Sequence, residues 1–242
     1  MKMKLLNIDA NAKTVKGQKK GYMTAILYLA PYNVSGYQVC PMASKGCAAA
    51  CLNTAGRGAF STTQQSRVRK TKWYFEDRAA FMLQVEKEIV AFEERAAKNN
   101  FIPCVRLNGT SDIPWEKIPF KGADGTKYKS VMERFKKLRF YDYTKRHNRK
   151  NLPKNYSLTY SLAEDNDARA KKALKNKMNV AAVFRTKDLP KTFWGYKVVD
   201  GDETDLRFLD KKTRVVGLKA KGKARKDTSG FVRDVVRLSV VQ

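Results

Sequence analysis

Ile102-Pro-Cys-Val-Arg-Leu-Asn-Gly-Thr-Ser-Asp112 is an apolar run that stops in a cluster of polar and turn residues. The apolar part reads as a buried strand, and Asn, Gly, Ser and Asp mark where the chain turns. The same unit recurs in Phe140-Tyr-Asp-Tyr-Thr-Lys145, Ser157-Leu-Thr-Tyr-Ser-Leu162, Val180-Ala-Ala-Val-Phe-Arg185, Tyr196-Lys-Val-Val-Asp200 and Val215-Val-Gly-Leu-Lys219. Upstream, Thr24 to Pro31 is another strand-sized run, closed by a proline. Between these runs lie helical stretches. From Ser61 to Asn99, Phe81, Val85, Ile89 and Phe92 recur at helical spacing, with Glu86, Lys87, Glu93 and Glu94 expected opposite and a break expected near Lys72. Lys129 to Leu138 and Ala168 to Lys177 are further expected helices. Strands alternating with helices imply a parallel sheet, and seven such units imply an open sheet or a barrel. The expectation is an α/β fold, a partial or irregular (β/α) barrel. One domain spans 1–242, with 1–22 an irregular basic lead-in and 23–242 the barrel.

In such folds chemistry sits at the carboxyl ends of the strands. Those ends offer Asn108 and Asp112, then Asp142 and Lys145, then Ser161, Arg185, Asp200 and Lys219. Arg106 and Asn108 alternate with Val105 and Leu107, so both are expected to project to one side of their strand. A buried guanidinium needs a partner, and Asp112, Asp142 or Asp200 is available. The candidate catalytic residues are therefore Arg106, Asn108, Asp112, Asp142, Lys145 and Arg185. They form either a polar floor beneath a bound group or a salt-bridge network that closes the fold.

After the first strand comes Cys40-Pro-Met-Ala-Ser-Lys-Gly-Cys47-Ala-Ala-Ala-Cys51-Leu-Asn-Thr-Ala-Gly-Arg-Gly58. Three thiols within twelve residues, with small residues between them, suit a compact inorganic group in a reducing compartment. Zinc sites usually present two close Cys pairs, and the second pair is missing, so zinc would need His147 or Cys104 from far along the chain. Three cysteines at irregular spacing suit an iron-sulfur cluster, of [4Fe-4S] type, with a fourth iron open or ligated elsewhere. Buried structural thiols are the third reading. Cys104 begins an apolar strand and reads as a core residue.

The 242 residues carry 50 Lys and Arg against 23 Asp and Glu, a net charge of +27. A 43% hydrophobic content excludes a basic disordered tail. No apolar run approaches the roughly 18 residues that span a bilayer, and the start lacks a signal-peptide core, so a cytosolic protein with no membrane association is expected. The charge is densest in residues 121–180, with seventeen cations against six carboxylates. Runs such as Lys136 to Arg139, Lys145 to Lys150 and Lys219 to Lys226 should attract nucleic acid or another polyanion, unless they serve only solubility. Tyr141, Tyr143 and Tyr156 could stack on single-stranded bases or belong to the core. Asp200-Gly-Asp-Glu-Thr-Asp205 gathers four carboxylates, which admits a metal-dependent nuclease or an ordinary Asp-rich turn. His147 lies among cations and does not read as a catalytic base.

The order of strand, cysteine loop, long helix and Gly-containing polar turn resembles the radical SAM enzymes. By that resemblance, Asn108-Gly109-Thr110-Ser111 would bind the methionine end of S-adenosylmethionine (SAM). The cysteine spacing departs from that superfamily, with six and three intervening residues where it has three and two. A closer resemblance is to bacteriophage proteins of the gene-product-88-like family. It rests on Cys40 to Cys47 with Cys51-Leu and Gly56-Arg57, Arg69-Lys-Thr with Asp77-Arg and Phe81, and Arg106 to Asp112 with Trp115. The resemblance implies a phage origin and action in the cytoplasm of an infected host. The function expected is a cluster-binding protein with redox or radical-type activity, its cluster on Cys40, Cys47 and Cys51. The alternative is a nucleic-acid-binding protein with a structural metal.

Overall fold

The computed structural model describes residues 3–9 and 11–235. In chain order the elements are β1 (Leu6–Ile8), α1 (Ala12–Gln18), β2 (Tyr22–Leu27), α2 (Lys45–Ala49), α3 (Ser61–Glu76), α4 (Arg78–Lys98) and β3 (Ile102–Arg106). Then come β4 (Phe120–Lys121), β5 (Lys127–Tyr128), α5 (Val131–Arg134), β6 (Arg139–Thr144), β7 (Tyr156–Ser161), α6 (Asp167–Lys175) and β8 (Val180–Arg185). The last four are β9 (Thr192–Phe193), β10 (Tyr196–Asp200), β11 (Val215–Lys219) and β12 (Val232–Asp234).

Ten strands form one sheet in the order β1-β2-β3-β6-β7-β8-β11-β10-β9, with β12 beside β8. β7 and β12 share β8: β7 pairs with Val180 and Ala181, β12 with Val183 to Arg185. All pairings in this sheet are parallel except the outer ones, β1 with β2 and β9 with β10. The two outer strands do not pair, so among the described residues the sheet is open and no barrel closes. Its ends nevertheless approach each other. Lys13, beside β1, reaches the Gly201 carbonyl at 2.9 Å and Asp202 at 2.9 Å, just beyond β10.

The described residues among the first 22 are more ordered than their composition suggests. Leu5 and Leu6 are fully buried, and their backbone N–H groups donate to the Glu88 carboxylate at 2.8 and 2.7 Å. Asn11 caps α1, its side chain accepting from the N–H groups of Lys13 and Thr14. A capping residue can start a helix where polar composition alone hides it.

The long helical stretch breaks at Asp77 rather than near Lys72. Asp77 N-caps α4, its side chain accepting the Ala80 N–H. α4 buries Phe81, Met82, Val85, Ile89, Phe92 and Ala96, the helical stripe read from spacing. Each large side chain in that stripe contributes about 1.5–3 kcal/mol through removal from water. Glu86 departs from the pattern: it is buried, because it accepts from Arg134 Nε at 2.6 Å and the Ala123 N–H at 2.8 Å where the β4–β5 hairpin docks. Residues 129–138 supply only the single turn of α5. A second core lies under α6, where Ala170 and Leu174 meet Val180, Ala182, Phe184 and Val215.

Candidate functional site

The loop after β2 enters the site with Tyr32 in the left-handed region, φ 51°. A bulky residue is strained there, by on the order of 1 kcal/mol or more. The conformation aims the Tyr32 N–H at Cys40 Sγ, 3.4 Å away. Cys40 Sγ also lies 3.6 Å from the Thr110 carbonyl, so this thiol sits between the turns that follow β2 and β3.

Cys47 is carried by the five-residue helix α2, whose start is fixed from another strand. Ser44 caps it, accepting the Cys47 N–H at 3.2 Å. Glu164, beyond β7, takes the Ser44 hydroxyl and the Gly46 N–H, both at 2.6 Å. A Cβ on Gly46 would fall 2.0 Å from Ser229 Oγ and 2.8 Å from Glu164, so this approach requires glycine. Cys51 follows α2, and Asn53 fastens the next turn by bonds to Gln64 and Arg67 of α3. Gln64 returns two more, to the carbonyls of Asn53 and Gly58.

Neighbouring thiols lie close enough to disfavour the ionisation of Cys40 and Cys51. Burial, and then the neighbouring thiols, push the Cys40 thiol up to about 12 despite the Tyr32 hydrogen bond, and burial raises Cys51. Uncharged buried thiols are poor nucleophiles by themselves. Lys145, at the end of β6, faces them: burial opposes its charge, but Cys47, Asp112 and Cys40 outweigh it and raise its pKa. Its Nζ also stands 5.5 Å over the Phe231 ring. Among the described residues Lys145 makes no ion pair with a carboxylate, and no three Cys, His, Asp or Glu side chains are grouped as they would be around a metal ion.

The fold therefore brings together Cys40, Cys47, Cys51 and Lys145, with Asp112 alongside. Asp112 orders the loop that presents Lys145, accepting from Thr144 Oγ1 at 2.7 Å and the Lys145 N–H at 2.9 Å. The turn after β3 is spent on itself. Asn108 Oδ1 accepts from Ser111, Ile113 N–H and Trp115 Nε1, and its amide donates to the Ile113 carbonyl. Thr110 donates to the Leu29 carbonyl, and a Cβ on Gly109 would fall 2.6 Å from Tyr28. The polar side chains of Asn108, Thr110 and Ser111 already bond within the protein, so this turn acts as a brace between β2 and β3.

The remaining candidates stand apart from the thiols. Arg106 is buried between Asp205, which it bonds directly, and Asp142, 3.9 Å away. Asp142 also accepts from the Asn108 N–H and from Tyr156, 2.9 Å each. Arg149 bonds Tyr156 at 3.1 Å and grips Glu116 with two nitrogens, extending the network. Tyr141 and Tyr156 are core residues. Cys104 contacts Thr24 Oγ1 at 3.2 Å and packs with Tyr141 and Leu206. Arg185 is exposed and ties β8 to Asp234 and to the carbonyls of Arg225 and Asp227. The acidic turn disperses as well. Asp202 takes Lys13 and Lys221, Glu203 takes Lys20, and Asp205 takes Arg106, which leaves no shared carboxylate pair for a divalent metal.

Fold and site define a class: an open, mostly parallel α/β sheet protein with three half-buried cysteines in the loop after its second strand. The family model described as gene product 88 matches residues 3–235. The chain belongs to the gene product 88 family, of phage gene-product type. Comparison with curated proteins and with solved structures gave no match. No helix among the described residues is long and apolar enough to cross a membrane.

Proposed function

We propose that this chain binds an iron-sulfur cluster, [4Fe-4S] in type, through Cys40, Cys47 and Cys51, and uses it for redox or radical-type chemistry in the cytoplasm of an infected bacterium. The observation that supports this reading is three half-buried thiols placed before, within and after α2, with Cys40 and Cys51 both within reach of a neighbouring thiol's charge. The donor set fits. Thiolates are the ligands of such clusters, and a donor such as the Tyr32 N–H, aimed at a sulfur, tunes them. The rolled sheet would serve as a partial (β/α) barrel of radical-SAM-like outline.

A bound cluster would supply one-electron transfer at this end of the sheet. The chain's own residues do the rest. Lys145 places a cation against the thiols, where it balances thiolate charge and can hold an anionic group. Glu164 and Asn53 fix the two turns that carry Cys47 and Cys51. SAM is not part of the reading, because the polar side chains of 108–111 are already spent.

Anaerobic purification with iron and sulfide analysis tests it. Brown protein with absorbance at about 400 nm and both elements present is the expected result. Colourless protein with stoichiometric zinc overturns it. Cys104→Ser should leave the iron content unchanged.

A further inference from the structure

The chain that carries the thiols also carries much of the protein's uncovered apolar surface. Among the described residues nine large hydrophobic side chains are well exposed, and four of them lie between 32 and 60: Tyr32 at 37%, Val34 at 54%, Leu52 at 60% and Phe60 at 62%. Leu52 directly follows Cys51, and the Tyr32 backbone N–H donates to Cys40, so both residues adjoin the cysteine loop.

Charge at the same place has one sign. No Asp or Glu occurs between Asp9 and Glu76. Lys45 and Arg57 are exposed, and neither makes an ion pair among the described residues. Residues 222–226 pack against this loop, since a Cβ on Gly222 would lie 2.9 Å from that of Ala55, and they add exposed Lys223. The carboxylates that border the site are turned inward. Asp112 is held by Thr144 and the Lys145 N–H, Glu164 by Ser44 and Gly46, and Asp227 by Ser229 and the Val232 N–H.

Exposed aromatic faces beside unpaired cations match one chemistry well. Phosphodiesters want the cations, and unstacked bases want the rings. A duplex keeps its base faces covered, so it would use the cations and leave Phe60 and Tyr32 idle. We propose that this rim is a binding surface for single-stranded nucleic acid, with Phe60 and Tyr32 stacking on bases and Lys45, Arg57 and Lys223 on phosphates. The strand then runs beside the loop that carries the thiols. The surface does not depend on what the thiols hold.

Fluorescence anisotropy of the full chain with labelled single-stranded DNA, single-stranded RNA, duplex DNA and heparin tests this. Single strands should bind more tightly than the duplex. Phe60→Ala should weaken single-strand binding by about 5- to 150-fold, since one base stack is worth about 1–3 kcal/mol, while duplex and heparin binding stay unchanged. Phe60 precedes α3 and makes no side-chain capping bond, so an unchanged melting curve will show that the variant is folded. Arg57→Gln and Lys223→Gln should each lower the slope of log affinity against log salt by about 0.7. Duplex and single strands bound equally, or Phe60→Ala without effect on single strands, overturns the proposal. The Cys40, Cys47 and Cys51 triple Ser variant, measured in parallel, separates the two readings: it should retain the oligonucleotide even though it cannot hold a cluster.

Discussion

Two clusters of chemically capable side chains lie within one sheet, and they are built on opposite terms. Around Arg106, every charge meets an opposite charge or a donor: Asp205 and Asp142 on the guanidinium, Tyr156 on Asp142, Arg149 on Tyr156 and Glu116. Around the thiols, three half-buried sulfurs face an unpaired lysine and an exposed rim. The first network pairs charge with charge across several strands, although Arg106 Nε, Arg149 Nη1 and Tyr141 Oη make no hydrogen bond among the described residues, and it holds the fold. A pocket with donors unspent is where a ligand completes the structure. The comparison predicts that changes in the first region cost stability and changes in the second cost binding.

The largest effect should come from Arg106→Met. It strands Asp205 and Asp142 in the interior without their cation, which costs about 3–5 kcal/mol in urea unfolding. The cysteine site should keep its iron in whatever fraction remains folded. A loss under about 1 kcal/mol would break the comparison on its structural side.

Next in size is a pH effect from the same network. Burial outweighs Arg106 and the hydrogen bonds from Asn108 and Tyr156 and pushes the Asp142 carboxyl up to about 6. An unfolded Asp titrates near 3.9, so between about 4 and 6 the folded chain binds the additional proton. Asp142 therefore favours folding at low pH, and its contribution falls as pH rises to 6, by about 3 kcal/mol in all. The difference in stability between wild type and Asp142→Asn, followed across that window, should show this slope. A difference that does not change with pH sinks the assignment.

These two regions were unequally legible in the sequence. The strands, the α4 stripe and the cysteine loop could be read because periodicity and spacing are local properties. Asp142 stands among the partners that the sequence offers Arg106 and lies 3.9 Å from it, but the direct partner could not be read, because Asp205 lies 99 residues away in an acidic turn that composition presents as an ordinary loop. Glu164 was missed by three residues: the carboxyl-end rule pointed to Ser161, but the chain runs past the end of β7 before turning back to α2. β1 and α1 were hidden inside a lysine-rich segment, where the useful signals were the paired leucines and the Asn11 cap. The Asn108 to Ser111 turn looks like a ligand site because Asn, Gly, Thr and Ser serve turns and ligands equally well. Only the bonds they make distinguish the two.

Glu164→Gln probes the support of the cysteine loop. It weakens charge-assisted bonds to Ser44 and Gly46 at the start of α2, a loss of about 1–2 kcal/mol. Because that helix carries Cys47, iron retention should fall as well, measured as iron per chain after desalting. Unchanged iron content would mean that the thiol pocket holds its own shape without Glu164.

The smallest effect on stability should come from the triple Ser variant at Cys40, Cys47 and Cys51. All three side chains are half-buried, and Ser keeps nearly the same volume, so metal-free protein should unfold within about 1 kcal/mol of metal-free wild type. Iron and sulfide should be absent from it altogether. That pairing, no iron with almost no cost to the fold, is the reverse of Arg106→Met. If the triple variant instead lost several kcal/mol in the metal-free state, the thiols would be core residues like Cys104, and the distinction between a structural charge network and a ligand-binding loop would fail at the place that motivated it.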